Sequence, residues 1–241
     1  MTLDERLWKT FNKALGQFQL IDEDDCILVG LSGGKDSLCL LELLARRSKV
    51  HVPHFTVEAL HVRMENVHYK TDTTYLQSFC DRLNVPLHII TTSFAEPVAA
   101  AQQHKKPACF LCSWQRRKQL FNLAQTLGCT KIALGHHQDD IIHTALMNLT
   151  FQGQFSTMPV KLRMRKMPLT IIRPLCLCQE DDIRAYAEQH GYEKQLKRCP
   201  YENTTNRASV TELFKHMQKL NPEARYCIWR ALESNDKLIE Y

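Results

Sequence analysis

The chain has 241 residues, which suffices for one well-filled α/β domain and excludes two full domains. Apolar residues make up 44% of it and charged residues 24%, as in ordinary soluble proteins, and no stretch approaches the roughly 18 apolar residues of a membrane helix. The formal net charge of +5 is too modest to identify a partner, so the places where positive charge gathers matter more than its amount.

The first residues of the chain, 1–15, form an amphipathic pattern with charges throughout. This pattern lacks the uninterrupted apolar core of a signal peptide, so we expect a cytoplasmic protein. In a reducing compartment, the ten cysteines are core residues, metal ligands or catalytic thiols rather than a disulfide scaffold. Each cysteine therefore has to be interpreted from its surroundings.

Five apolar runs predict buried strands of a parallel sheet, because both faces of each run are apolar and helical patterns separate the runs. The strands are expected at residues 26–31, 56–62, 87–91, 131–135 and 170–173. The helices are expected at residues 3–17, 37–47, 69–84, 113–127, 138–151, 180–190, 209–220 and 222–233. This alternation predicts an α/β fold with an open, doubly wound, five-stranded parallel sheet. We expect a single domain over residues 1–241, with an N-terminal helix in residues 1–20 and a C-terminal helical extension in about 207–241.

A glycine-rich turn joins the first predicted strand to the next helix. Two adjacent glycines allow the backbone to turn sharply and to approach an anion without a Cβ atom in the way. The start of the helix adds N–H groups and a partial positive charge, which favour phosphate. The competing interpretation is an ordinary capped turn between a strand and a helix. The turn consists of Ser32, Gly33, Gly34, Lys35, Asp36 and Ser37.

This turn is not a Walker A loop. Val29 stands where that motif needs its first glycine, and Asp36 stands where it needs a hydroxyl residue. The pattern Ser-Gly-Gly-x-Asp-Ser instead resembles the PP-loop of ATP pyrophosphatases, which implies cleavage of ATP between the α and β phosphates. Under this resemblance Asp36 is a catalytic carboxylate that can hold Mg²⁺, and Lys35 offsets the phosphate charge.

Two further predicted strands end in polar residues, and ligands of such sheets bind beyond the carboxyl ends of the strands. The second strand ends near His61, where backbone groups of PP-loop enzymes commonly receive the adenine. The fourth strand ends at Gly135, and two histidines and two aspartates follow within residues 136–140. Adjacent aspartates diverge by about a hundred degrees on a helix, so these side chains are not expected to share one metal ion. The resemblance to PP-loop RNA-modifying enzymes makes Asp140 a second catalytic carboxylate.

Three cysteines stand apart from the rest. Cys109 and Cys112 form a C-x-x-C pair before the predicted helix 113–127, where both thiolates can face one metal or redox partner. Cys199 lies in a polar stretch where a buried structural thiol is not expected. Three cysteines are one short of the four that complete an iron–sulfur cluster. Six further cysteines lie in apolar or helical surroundings and are expected to be packing residues, with a functional role left open for the last two: Cys26, Cys39, Cys80, Cys129, Cys176 and Cys178.

Jointly, these motifs resemble the TtcA-type tRNA 2-thiocytidine synthetases from about residue 24 to residue 206. The resemblance implies a tRNA sulfurtransferase that uses ATP and Mg²⁺ and carries a [4Fe–4S] cluster on Cys109, Cys112 and Cys199. It also implies that O2 of an anticodon-loop cytidine attacks the α-phosphate, pyrophosphate leaves, and sulfur then displaces AMP at C2. Arg116, which follows the C-x-x-C pair, is the fourth candidate catalytic residue.

Positive charge gathers in two clusters, and either can be a merely solvated face. Under the family resemblance both become candidate tRNA-facing surfaces. We expect tRNA and a sulfur-donor system of the cysteine desulfurase type as partners, no membrane, and a homodimer as the candidate assembly. The clusters are Arg116, Arg117 and Lys118, and Lys161, Arg163, Arg165 and Lys166, with Lys194, Lys197 and Arg198 beside Cys199.

Two other classes of function compete with thiolation. Lysidine synthetases and amide-forming PP-loop ligases also adenylate an oxygen but then use an amine, and they do not need the three cysteines. A non-catalytic metal-bound RNA-binding module or an electron-transfer protein would have no use for Asp36 and Asp140 beside a phosphate loop.

Overall fold

The computed structural model describes residues 1–65, 72–93, 108–193 and 207–240. The chain divides into two compact units, each defined by its internal contacts. The β1–β3 unit comprises Asp22–Ile132 and Gly191–Asn203. The β5–β7 unit comprises Met1–Ile21, Ala133–His190 and Thr204–Tyr241. The single domain expected over residues 1–241 stays a prediction.

The β1–β3 unit contains three parallel strands with helices packed on them. The strands are β1 (Asp25–Gly30), β2 (Phe55–Met64) and β3 (Leu87–Thr92). The helices are α2 (Lys35–Arg47), α3 (Thr73–Leu83) and α4 (Ala108–Thr126), and α4 contacts both β1 and β2. The strand order is β3-β2-β1, and the register pairs Ile27 with Val57 and His61 with Ile89. The apolar residues of β1 and α2 are almost wholly buried, as their continuous apolar runs predict.

The short strand β4 (Lys131–Ala133) contains residues of both units, since Ile132 is the last residue of one segment and Ala133 the first of the next. Within the β1–β3 unit, β4 is the neighbour of β1, and the Thr130 N–H donates to the carbonyl of Cys26. Within the β5–β7 unit, β4 is the neighbour of β6, and the Leu134 N–H donates to the carbonyl of Ile172. The two hydrogen bonds, made by Thr130 and Leu134, lie directly before and directly after β4.

The β5–β7 unit is mostly helical and contains three short strands in the order β6-β5-β7. β5 is antiparallel to β6 and parallel to β7. A core cluster of Ile142, Leu146, Val210 and Phe214 packs α5 against α7. The strands are β5 (Lys161–Arg163), β6 (Thr170–Ile172) and β7 (Ile239–Glu240), and the helices are α1 (Leu3–Gln17), α5 (Gln138–Gln152), α6 (Glu180–Gln189), α7 (Arg207–Leu220) and α8 (Ala224–Ser234).

The predicted α/β fold is confirmed, and so are its N-terminal and C-terminal helices. The described residues contain seven strands rather than the predicted five, because β5 and β7 are too short and too polar to give an apolar run. Helix α4 begins no later than Ala108, so the prediction that the C-x-x-C pair precedes the helix was wrong. No strong helix breaker separates Ala108 from Ser113, and the helix therefore includes both cysteines.

Candidate nucleotide and thiol site

The turn after β1 has the backbone geometry of an anion cradle. Gly33 has φ +80°, a conformation that side chains with a Cβ atom rarely adopt. Gly34 is extended and is the N-cap of α2, with no side-chain hydrogen bond at the cap. The first intrahelical bond runs from the Leu38 N–H to the carbonyl of Gly34, at 3.1 Å. The N–H groups that precede Leu38 in the first turn therefore point towards the mouth of the turn, where an anion can accept them.

Short hydrogen bonds between its own residues hold this turn in shape. The hydroxyls of Ser32 and Ser37 lie 3.1 Å apart, and Ser37 donates to the carbonyl of Gly34 at 2.9 Å. The ammonium of Lys35 donates to the carboxylate of Asp36 at 2.9 and 3.2 Å. Both of these charged side chains are about one third exposed, so a ligand can reach them. The turn therefore presents one cation, one carboxylate and two hydroxyls around a helix N-terminus.

His61 supports the turn from the neighbouring strand. The Nδ1 atom of this buried histidine lies 2.8 Å from the carbonyl oxygen of Leu31, so Nδ1 carries the proton and donates. The Leu31 N–H donates to the carbonyl of Leu60, also at 2.8 Å. Both bonds fix the residue that precedes Ser32. His61 was predicted to bind nucleotide, and that role stays a prediction, but the structure gives it a role in holding the turn.

The C-x-x-C pair lies in the first turns of α4, in the same unit as the glycine-rich turn of residues 32–37. Cys109 is exposed and Cys112 is half-buried. Three residues apart on a helix, the two side chains lie on the same side, so both sulfurs can face one ligand. Arg116 follows one turn later and is half-buried. The predicted third ligand, Cys199, lies outside the described residues, as do Lys194, Lys197 and Arg198.

The structure buries most of the cysteines that were predicted to be packing residues. Cys39 and Cys80 are wholly buried, and Cys176 and Cys178 are buried as well. Burial raises the pKa of the Cys178 thiol to about 12, and it raises the pKa of Cys176 well above its ordinary value. Such thiols stay protonated and inert at neutral pH. This separates them from Cys109, the exposed member of the C-x-x-C pair.

One buried carboxylate organises the polar residues after β4. Asp139 accepts hydrogen bonds from Nη2 of Arg225 at 2.6 Å and from the Glu180 N–H at 2.8 Å. Nδ1 of His137 lies 3.6 Å from the same carboxylate. Burial opposes the charge of Asp139, but the donors from His137, Arg225 and the Glu180 N–H outweigh it and hold the pKa well below its ordinary value. Asp139 is therefore charged at neutral pH and joins α5 to α6 and α8.

Asp140, the predicted second catalytic carboxylate, points to the other side of the helix start. It accepts a hydrogen bond from the His137 N–H at 3.1 Å, and Nε2 of His137 lies 3.4 Å from the same oxygen. Its side chain retains 16% exposure, more than that of Asp139. Adjacent residues of a helix point in different directions, which explains why the two carboxylates have different surroundings. Gly135 and Asp140 both belong to the β5–β7 unit.

Two arginines in this region were not identified as site residues from the sequence. Nε of Arg173 donates to Nδ1 of His136 at 3.2 Å, and the guanidinium also bonds the carbonyl of Pro159. Arg225 reaches Asp139 from α8, 86 positions further along the chain. Arg173 could have been identified from the sequence, because it directly follows β6 and polar side chains that follow strands line ligand sites. Nothing in the local sequence around Arg225 indicates its partner.

The second basic cluster lies on and after β5. Lys161 donates to the carbonyl of Gln19 at 2.6 Å, so its ammonium takes part in the packing of the β5–β7 unit. Arg163, Arg165 and Lys166 are exposed. Their predicted contact with tRNA stays a prediction.

Among the described residues, only Glu23, Asp24 and His54 bring three potential metal ligands within 4.8 Å of one another, and all three are exposed. The histidines and aspartates of residues 136–140 form no such group. In the same described part of the chain, no helix is both long and apolar enough to cross a membrane.

The chain matches known proteins along almost all of its length. The PP-loop domain family matches residues 3–210. A tRNA-cytidine(32) 2-sulfurtransferase of Pseudomonas syringae pv. syringae is 32% identical over 233 residues, which cover 96% of this chain and 84% of that relative. The enzyme of the same name from Shewanella denitrificans is 34% identical, with 96% and 72% covered.

Solved structures show the same fold. The U34-tRNA thiolase NcsA from Methanococcus maripaludis, solved with its [4Fe-4S] cluster, gives a TM-score of 0.80 at 24% identity and covers 96% of this chain and 79% of that chain. The NMN synthetase from Francisella tularensis gives a TM-score of 0.57 at 15% identity and covers 99% and 97%. At these identities the likeness concerns the fold alone.

Proposed function

Because the chain belongs to the PP-loop family of tRNA-cytidine 2-sulfurtransferases, we propose that it uses ATP to replace O2 of cytidine 32 in the tRNA anticodon loop with sulfur. The geometry of residues 32–37 carries this proposal, since it supplies an anion cradle beside a cation and a carboxylate. ATP fits the donors that are present. The backbone N–H groups at the start of α2 suit the oxygens of pyrophosphate.

Asp36 is the proposed ligand of the magnesium ion that accompanies ATP. Asp36 is exposed enough to bind an ion, and carboxylate oxygens are preferred ligands of Mg²⁺. Asp140 is proposed as a second catalytic carboxylate. The ion would supply positive charge to the phosphates. Lys35 and the N-terminus of α2 supply charge of the same sign from the protein, and together they offset the negative charge that develops when pyrophosphate leaves.

The thiol site fits an iron–sulfur cluster in its donor chemistry. Cys109 and Cys112 present two sulfurs on one side of α4, and Cys199 is the proposed third ligand. With three protein ligands, a [4Fe–4S] cluster would keep one iron open to an exogenous sulfur atom. Cys176 and Cys178 are not proposed as ligands, since their side chains lie inside the core with at most 1% exposure.

The reaction balances in two steps. O2 of the cytidine attacks the α-phosphorus of ATP, and the bond to pyrophosphate breaks. Sulfide sulfur then attacks C2, and AMP leaves with the former O2 atom. The target base has to be splayed out of its stack to reach the site. Arg116 is one helical turn from Cys112 and is the proposed cation for the phosphate or the departing AMP.

The family also suggests partners and a compartment. We propose a sulfur donor of the cysteine desulfurase type, action in the cytoplasm where tRNA is modified, and a homodimer as the assembly.

Purified without oxygen, the protein is expected to be brown, to contain iron, and to form AMP and 2-thiocytidine from ATP, sulfide and unmodified tRNA. Mass spectrometry of digested tRNA measures the product. Cys112→Ala and Cys199→Ala should lose both iron and thiolation, whereas Cys227→Ala, a matched exposed cysteine on α8, should keep both. A colourless, iron-free protein that forms no AMP would contradict the proposal. Iron retained by Cys199→Ala would exclude the three-cysteine cluster.

A further inference from the structure

Helix α4 carries two large exposed aromatic side chains close to the C-x-x-C pair. Phe110 is 46% exposed and Trp114 is 48% exposed. Both belong to the same helix of the same unit as Cys109 and Cys112. Large exposed aromatic groups are unfavourable in water, and side by side they mark a surface that contacts a partner.

The two rings lie on one face of the helix. A spacing of four residues places Trp114 one turn after Phe110, about 6 Å along the axis. Another four residues lead to Lys118, whose ammonium lies 5.5 Å from the centroid of the Trp114 ring. Lys118 and Arg117 are both exposed. The face therefore consists of two aromatic rings followed by two cations.

The charge of α4 favours one class of partner. The helix contains three cations, Arg116, Arg117 and Lys118, and its sequence has no aspartate or glutamate. Flat aromatic groups beside lysine and arginine are what single-stranded nucleic acids bind, because bases stack on the rings while the cations contact the phosphates. A double helix offers no open base faces to such rings.

We propose that Phe110 and Trp114 form a stacking platform for unpaired bases of the tRNA anticodon loop, with Arg117 and Lys118 on the adjacent phosphates. This inference rests on the proposed tRNA substrate and adds the residues that hold the loop. Trp114, the larger ring, contributes the most stacking surface. The platform keeps neighbours of the target base unstacked beside the helix that carries the thiols.

Fluorescence of Trp114 tests the platform directly. The variant Trp8→Phe/Trp229→Phe retains Trp114 as its single tryptophan. A synthetic anticodon stem–loop RNA, added without ATP or sulfide, should quench this fluorescence, and a fully paired RNA of equal length should not. If the double variant folds poorly, the difference spectrum between the native protein and Trp114→Phe gives the same signal. Equal quenching by both RNAs would overturn the proposal.

Affinities supply the second measurement. Trp114→Ala should weaken binding of the stem–loop about tenfold, in keeping with loss of one stacked base, and should leave binding of the paired RNA unchanged. Trp114→Phe should keep most of the affinity. The matched control is Phe151→Ala, which removes an aromatic group that is 59% exposed on α5, in a stretch without charged residues, and should change neither affinity.

The outcomes separate this proposal from the proposed function. Native thiolation and native stem–loop binding in Trp114→Ala would overturn the platform and leave the function standing. A protein that never thiolates tRNA, yet binds the stem–loop through Trp114, would remove the function and keep the platform. Loss of sulfur transfer from a protein donor with unchanged RNA affinity would identify the face as a protein contact and overturn the proposal.

Discussion

The two polar regions of this protein are built in opposite ways. In the β1–β3 unit, residues 32–37 form an anion cradle almost entirely from their own backbone and from one another's side chains. In the β5–β7 unit, the residues after β4 depend on partners far away in the sequence, such as Glu180 and Arg225. A motif whose residues bond one another can be recognised from consecutive residues of the sequence. A network of distant side chains becomes visible only in the fold, and the predictions below test that difference.

Asp36→Asn should have the largest effect, because it removes the carboxylate proposed to hold magnesium at the cradle. AMP formation from ATP and tRNA should fall by about 100-fold or more in kcat/KM. The melting temperature should not change much, since the side chain is about one third exposed. Asp24→Asn, an exposed carboxylate in the same unit, is the control. A rate for Asp36→Asn within about threefold of the native rate would remove Asp36 from the proposed site.

Arg225→Met tests the distant network. It leaves the buried charge of Asp139 with fewer donors, and loss of one partner of a buried ion pair costs about 3 kcal/mol in the free energy of unfolding. Urea unfolding at neutral pH measures the loss. The double variant Asp139→Asn/Arg225→Met should be more stable than Arg225→Met alone, because the stranded charge is gone. Equal stability of both variants would show that the ion pair contributes little.

The pH dependence of stability follows from the same carboxylate. The folded pKa of Asp139 is lowered, so its contribution to stability is complete above the unfolded pKa and is lost as the pH falls below about 4 towards the folded pKa. Asp139→Asn has no charge to lose. Its unfolding free energy should therefore decline less steeply than that of the native protein in acid urea titrations. Parallel curves for the two proteins would contradict the lowered pKa.

Gly33→Ala tests the backbone of the cradle. At φ +80° an alanine is strained by about 1–2 kcal/mol, which should appear as lower unfolding free energy. Gly34→Ala is the matched control, because φ is −82° at that position and any residue adopts it. If both variants lose the same stability, the strain does not lie in the turn.

The smallest effect is expected for His61→Phe. This change leaves the carbonyl of Leu31 without the Nδ1 donor, at a cost of about 1 kcal/mol. A less firmly held cradle should raise the KM for ATP about fivefold, with a smaller change in kcat. The exposed histidine of the same unit, His51→Phe, should leave the KM unchanged. A KM for His61→Phe equal to the native value would show that the turn holds its shape without this bond.

The sequence allowed the α/β fold, the turn between β1 and α2 and most of the buried thiols to be predicted, because apolar runs, adjacent glycines and apolar surroundings are all local properties. It did not reveal β5 or β7, whose three and two residues leave no periodic pattern. The predicted start of α4 was also wrong, although Pro107, a residue type favoured at the beginning of helices, directly precedes Ala108. The tie between Asp139 and Arg225 could not be predicted, because neither residue's neighbours encode the other's position.

That tie has a consequence for synthesis of the protein on the ribosome. Asp139 is made 86 residues before Arg225, which corresponds to several seconds at roughly 5–20 residues per second. Glu180 arrives earlier, 41 residues after Asp139. While α8 has not yet been synthesised, Asp139 can accept the hydrogen bond from the Glu180 N–H of α6, but the guanidinium of Arg225 is still missing. The anchor after β4 is therefore completed later in synthesis than the turn of residues 32–37, which needs only residues made before Asp139.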